Sequence, residues 1–346
     1  MHDYRHLLMM TDQNGILQFS RLNKPDPLSG YTLDDNARAL IIALSLDEGY
    51  ELASIYLSYL KRAQNIYNGW CNLIYRNGSY SSAFDSEDSV GRAILACSLA
   101  TCSPWEDLSR SAFNLLENNL FRVLEFSSPR GMAYALIGLC KCNINHRPAN
   151  YWFYISHLSQ NLISLYRSKH SPEWLWFEDN ITYCNGILPQ AMFAVYTLNG
   201  DKRALKIGHD SINFLSNILF RKGYLNIVGN QGWYKRGGTI PVYDQQPVDA
   251  SSIIFALVEA YESVGVSEYL DLAVLAHSWY RGVNIHGLSL YDEKSGGCYD
   301  GLTQQGVNLN QGAEAVISLL LSDLLVANAA QQRLLSDNVL ESSPVV

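Results

Sequence analysis

Leu33 to Leu44 reads LDDNARALIIAL. Two acids and an amide open it, Arg38 follows Asp34 four residues on, and beyond that the stretch is small and apolar with no further charge. A polar start followed by an apolar surface on nearly every side predicts a helix whose first turn reaches the surface while its body lies buried. Five further stretches share this build. They begin near Glu87 (EDSVGRAILACSLA), Pro129 (PRGMAYALIGLC), Thr182 (TYCNGILPQAMFAVY), Pro247 (PVDASSIIFALVEAY) and Asn310 (NQGAEAVISLLLSDLL). Their Ala, Gly and Ser residues allow neighbouring helices to approach closely.

Between these stretches lie others of different character, starting near Tyr50, Trp105, Ala149, Lys202 and Glu268. They mix charged and apolar residues at helical spacing, as half-exposed helices do. Buried helix and half-exposed helix alternate along the chain. The expected fold is therefore all-α: an (α/α)6 toroid of six inner and about six outer helices, the twelfth coming from the N-terminal segment or from the weak stretch after Ala330. The spacing between openings is uneven, unlike a short-period solenoid. At 346 residues the chain is long for one domain, but each hairpin of a ring adds its own slice of core. The expectation is one toroid domain over residues 1–330 and a C-terminal tail over 331–346.

The long connections all precede inner helices: Asn68 to Ser86, Lys169 to Ile181, Arg221 to Gln246 and Val283 to Leu309. They therefore share one rim, and the pairs Gly223-Tyr224 and Gly232-Trp233 predict turns or short hairpins in them. Long loops in a compact domain are where function concentrates. The same rim receives the N-termini of the inner helices, with their free N–H groups and positive dipole ends.

Acids gather there. Asp34-Asp35, Glu87-Asp88 and Glu178-Asp179 are adjacent pairs, Asp249 opens the fifth inner helix, and Asp300 precedes the sixth. A lone acid at a helix start is ordinarily a cap. In a pair, one member can cap while the other faces the cavity. Arg38 and Arg92 stand four residues after Asp34 and Asp88, placed to orient a carboxylate and keep it ionised. Aromatic residues surround the acids: Trp174, Trp176, Tyr183, Trp233 and Tyr299. Carboxylates beside aromatic platforms match the needs of glycosidic cleavage, in which one acid protonates the leaving oxygen and the other activates water or attacks the sugar carbon. The expected catalytic set is Asp35, Asp88 and Asp179, followed by Glu178 and Asp249. The expected substrate-binding set is Asp34, Arg38, Glu87, Arg92, Trp174, Trp176, Tyr183, Trp233, Tyr299, Asp300, Asn310 and Gln311, the last two supplying amides for hydroxyl recognition. Each residue has a plainer reading as a cap, an i,i+4 pair, a buried aromatic plug or a loop tie.

Composition narrows the alternatives. The net charge of −8 disfavours nucleic acid. Tyr (22) and Trp (7) are plentiful enough to line both helix seams and a sugar site. Seven cysteines, an odd number and several within helical patterns, fit free thiols in a reducing compartment. The start MHDYRHLLMMTDQ lacks the build of a signal peptide, and no apolar run approaches ~18 residues, so a cytoplasmic protein without membrane insertion is expected. No dinucleotide, P-loop or metal-ligand pattern stands in the required context, and no cofactor or metal is expected. None of the eight His falls at an inner-helix opening, which weighs against an epimerase using His bases. Tyr31, Asn36, Arg38 and Tyr183 keep a lyase open.

The strings GYTLDDNARALI (from Gly30), EDSVGRA (from Glu87), SPRGMAYALIGL (from Ser128), WFEDNITYCNGILPQAM (from Trp176) and GGCYDGLTQQGVNLNQGAEA (from Gly296) resemble a bacterial family of (α/α)6 domains that occurs alone or fused to glycosyltransferases, within the wider six-hairpin glycosidase-like group. The resemblance runs from about His6 to Leu325. It implies saccharide metabolism, with an oligosaccharide or polysaccharide substrate and a glycosyltransferase as a partner. The expected function is a carbohydrate-active enzyme, a glycoside hydrolase first. The alternatives are a non-catalytic glycan-binding or scaffold domain of polysaccharide biosynthesis, or an epimerase or lyase on the same fold.

Overall fold

The computed structural model describes residues 2–65, 69–142 and 150–341. Ala149, Asn68 and the last five residues, each part of an expectation above, lie outside that range.

Among the described residues, twelve α-helices follow one another: α1 (Arg5–Met10), α2 (Leu33–Leu44), α3 (Tyr50–Arg62), α4 (Glu87–Ala100), α5 (Glu106–Asn119), α6 (Pro129–Lys141), α7 (Tyr151–Lys169), α8 (Ile187–Asn199), α9 (Lys202–Leu219), α10 (Pro247–Val264), α11 (Ser267–His277) and α12 (Ala313–Glu341). The even-numbered helices pack in the closed cycle α2–α4–α6–α8–α10–α12–α2. The outer helices α3, α5, α7, α9 and α11 each lie against the inner helix that precedes them, and α1 lies against α12. This is an (α/α)6 toroid. Its twelfth member is the N-terminal segment, while the stretch after Ala330 continues α12. By length and composition alone α12 could cross a membrane, but it is the sixth wall of the ring, packed between α10 and α2.

Local chemistry accounts for the helix ends. Ser86 accepts the Ser89 N–H and Ser128 the Gly131 N–H, as N-caps do. Pro129 and Pro247 sit in first turns, where no backbone donor is lost. Gly200 and Gly265 end α8 and α10 in the left-handed conformation. Two starts differ from expectation. α8 begins at Ile187 rather than near Thr182, because Thr182–Asn185 form a loop bonded through the Asn185 side chain. α12 begins at Ala313 rather than near Asn310, whose side chain accepts the Leu22 N–H instead.

α4 and α6 approach each other very closely. A Cβ on Gly91 would stand 2.5 Å from the Gly131 carbonyl oxygen, and one on Gly138 would stand 2.7 Å from the Leu95 Cα. These two helices meet backbone to backbone.

The long loops all lie on the rim where inner helices start, and they are stitched together by short antiparallel pairs. Tyr31–Thr32 pairs with Leu73–Ile74, which pairs with Tyr80–Ser81. Asn180–Ile181 pairs with Tyr234–Lys235, joining the loops before α8 and α10. Gln245 bridges Leu302, joining those before α10 and α12. No disulfide joins the cysteines among the described residues.

Candidate functional site

The inner helices start in register, and helical periodicity then stacks two layers of side chains around the axis. At the second residue stand Asp34 (α2), Asp88 (α4), Arg130 (α6), Val248 (α10) and Glu314 (α12). At the sixth, one turn deeper, stand Arg38, Arg92, Tyr134, Ser252 and Ser318. Positions i and i+4 share a helix face, so an acid-rich layer lies over a layer containing two guanidinium groups.

The two layers bond across helices. Arg38 donates to Asp35 Oδ1 (2.9 Å), to Asp34 Oδ2 (3.3 Å) and to Glu314 Oε2 (3.0 Å) on the neighbouring helix. Arg92 reaches Asp34 Oδ2 at 3.7 Å and donates to the Tyr134 hydroxyl at 3.1 Å. Burial alone would raise Asp34, but Arg38 and Arg92 outweigh it and hold this carboxyl below its ordinary range. Asp35 is pushed up to about 7, first by burial and then by the Asp34 charge beside it. Thr32 Oγ1 donates to its other oxygen at 2.6 Å. Both carboxylates are absorbed in holding the arginines.

Above this floor opens a cavity of about 550 Å³, lined by Glu87, Asp88, Arg92, Tyr183, Trp233 and Glu314 together with Ser86, Ser127, Ser128, Cys184, Gln246 and Val248. Asp88 accepts the Ser128 hydroxyl (2.6 Å) and the Tyr183 phenol (2.9 Å), so its orientation is set from both sides. The Tyr183 ring lies over the Arg130 guanidinium, 4.6 Å from its carbon. Arg130 is itself fixed by Glu178 (2.9 Å), the Tyr183 carbonyl (2.6 Å) and Thr182 (2.6 Å). Trp233, held at φ +54°, faces Tyr183 with ring centroids 6.1 Å apart and planes inclined at 45°. Glu314 is far more open than Asp88: its side chain is 43% exposed, and Oε2 accepts from Arg38. Two angled aromatic rings and two differently held carboxylates therefore share one opening.

The structure brings Asp88, Glu87, Arg92, Tyr183 and Trp233 together at this cavity, and Asp34, Asp35 and Arg38 directly beneath it. It places the other expected residues elsewhere. Asp179 is mostly exposed and ion-paired with Lys169, outside the cavity, because its loop turns outward to pair with Tyr234–Lys235. Glu178 serves as the anchor of Arg130. Trp176 is fully buried and Trp174 nearly so, against Phe214 and Tyr234, which makes them a core plug and not a sugar platform. Asp249 lies behind the wall: Oδ1 accepts the Cys184 N–H at 2.6 Å, while Oδ2 is buried without a partner. Burial, reinforced by Glu314, pushes it up to about 7 against the opposing bond from Cys184. Glu87 spends both oxygens on Ser127 and Ser128, tying α4 to the start of α6. Asp300 accepts the Gly312 N–H, Gln311 is buried on Asp292 and Ser295, and Tyr299 packs on the core; with Asn310 they fasten the last long loop.

Arg130 and Glu314 carry no role in the sequence reading, yet Glu314 lines the cavity and Arg130 supports the Tyr183 ring from behind. Their signal was positional: each is the second residue of an inner helix, as Asp34 and Asp88 are.

No family model matches the chain, and no curated protein sequence does. Solved structures do match. A cellobiose 2-epimerase from Spirochaeta thermophila superposes with a TM-score of 0.74 at 14% identity, covering 96% of this chain and 94% of that one. A D-mannose isomerase gives 0.69 at 14% identity over 94% and 96%. A GH76 alpha-mannanase from Bacteroides thetaiotaomicron gives 0.59 at 13% identity over 88% of each. At these identities the likeness is one of fold, extending around the whole ring.

Proposed function

We propose that this protein is a carbohydrate-active enzyme that hydrolyses a glycosidic bond in the cavity at the inner-helix N-termini. The observation that carries this reading is the joint lining of that cavity by Asp88 and Glu314 beside the Tyr183–Trp233 pair. The aromatic pair offers apolar faces to the C–H surface of a sugar. Asp88, accepting two hydroxyl bonds, is the carboxylate suited to activate water or attack the anomeric carbon. Glu314, exposed and with one oxygen free, is the second carboxylate at the opening, placed across from Asp88 to complete the pair that cleavage needs. The neighbouring folds, two sugar-isomerising enzymes and an alpha-mannanase, make a saccharide substrate the natural reading of such a bowl.

A second reading, sugar epimerisation or isomerisation, is favoured by the fuller superposition on the epimerase and the isomerase. Against it, no histidine among the described residues lines the cavity to serve as a base. Mass spectrometry after incubation with a panel of oligosaccharides separates the two. Hydrolysis yields shorter products that together carry one added water for each bond cut. Epimerisation or isomerisation leaves every mass unchanged, and that result would replace the hydrolase reading.

A further inference from the structure

We infer that the ring holds a second ligand site at its opposite end, built for a short aliphatic chain bearing a primary amine. Below the sixth-residue layer lies another cavity, of about 250 Å³, lined by all six inner helices. Its walls are aliphatic or aromatic, among them Leu95, Ile137, Phe255 and Leu321. It is thus distinct in character from the polar bowl above, and the Arg38–Arg92 layer stands between them.

The two ends of this chamber differ. At the inner end, Ser318 is 1% exposed with its hydroxyl unpartnered, and Arg92 is 7% exposed with its Nε–H unpartnered. Both groups belong to the lining, and they offer donors to a ligand oxygen. At the outer mouth stand Lys141, Glu259 and Glu262. Lys141 pairs with Glu259 at 2.6 Å, while Glu262 has no ion-pair partner among the described residues. Among the described residues the mouth carries one unmatched negative charge. The C-terminal ends of α2, α4 and α6 converge on it through Ser45, Leu99 and Lys141, and helix C-termini also favour a cation. An anionic head meets the wrong field at the mouth, and at the inner end the Arg38 and Arg92 charges are already met by Asp34, Asp35 and Glu314.

The chamber thus selects for an ammonium group outside, a methylene chain within and a hydroxyl at the inner end. At ~30 Å³ per water-sized group it has room for about eight such groups, which suits a six-carbon amino alcohol. The inference does not depend on the reaction in the upper bowl.

Isothermal titration calorimetry on the full chain with hexylammonium, 6-aminohexan-1-ol and hexanoate tests it. Both amines are expected to bind saturably and the amino alcohol more tightly, with hexanoate weaker by about tenfold or more. Glu262→Gln, an exposed change at the mouth, should weaken both amines several-fold while leaving the melting temperature nearly unchanged. Leu321→Phe should fill the chamber and abolish binding, with circular dichroism confirming the fold. The inference is overturned if neither amine saturates at millimolar concentration, if hexanoate binds as tightly as hexylammonium, or if Glu262→Gln leaves amine affinity unchanged.

Discussion

Single residues differ sharply in role although all are rim acids. Asp88 faces the cavity between two hydroxyl donors, Glu314 faces it on an exposed side chain, and Asp179 points to solvent beside Lys169. On the hydrolase reading, Asp88→Asn and Glu314→Gln each lower kcat by about 10²–10⁴-fold, the usual worth of a general acid or base. Asp179→Asn leaves kcat within about twofold, since an exposed ion pair contributes ~1 kcal/mol or less and touches no substrate. Steady-state rates on a cleaved oligosaccharide, with melting temperatures in parallel, check all three. Full activity in Asp88→Asn would remove the central carboxylate from the mechanism. The adjacency of Glu178 and Asp179 was plain in the sequence, but which way each side chain turns was not. That depends on a strand pair formed with Tyr234–Lys235, more than fifty residues away.

Helices hold these residues only as well as they pack on each other. α4 carries Asp88 and α6 carries Arg130, and their separation is set by Gly91, Gly131 and Gly138. Gly91→Ala pushes a methyl group into the Gly131 carbonyl, where backbone cannot yield as a flexible side chain would. The expected loss is about 1–3 kcal/mol, the common cost of overpacking. It should appear as a lower denaturant midpoint with little change in slope. An unchanged midpoint would show that the two helices separate freely. The α4–α6 strut through Glu87 crosses the same seam, so activity should decline with stability in this variant.

For the molecule as a whole, burying acids around a closed ring gives a distinctive pH response. Asp249 is pushed up to about 7 and Asp300 up to about 6, in each case chiefly by burial. The folded state therefore holds protons that the unfolded chain has already released above about pH 4. Stability contributed by these neutral carboxyls is present at low pH and is lost as pH rises toward about 7. Thermal unfolding scans should show a melting temperature that falls between about pH 5 and pH 8. Asp249→Asn, which mimics the protonated carboxyl and keeps an acceptor for the Cys184 N–H, should flatten part of that fall. A melting temperature that rises across the window, or an unaltered slope in Asp249→Asn, would contradict this account. The ring was readable from residue order alone: alternating buried and half-exposed helices, six polar openings and long loops on one rim are all local patterns, because helical periodicity and end chemistry act over a few residues. Asp88, Arg92, Tyr183 and Trp233 were legible as site residues because helix starts converge on that rim. It took the packed molecule to show that Trp174 and Trp176 are core, that Asp249 lies behind the wall, that Glu314 lines the cavity and that Arg130 backs the Tyr183 ring. Those assignments turn on how far neighbouring helices rotate and where loops cross between them, and such long-range packing leaves no mark in the local order of residues.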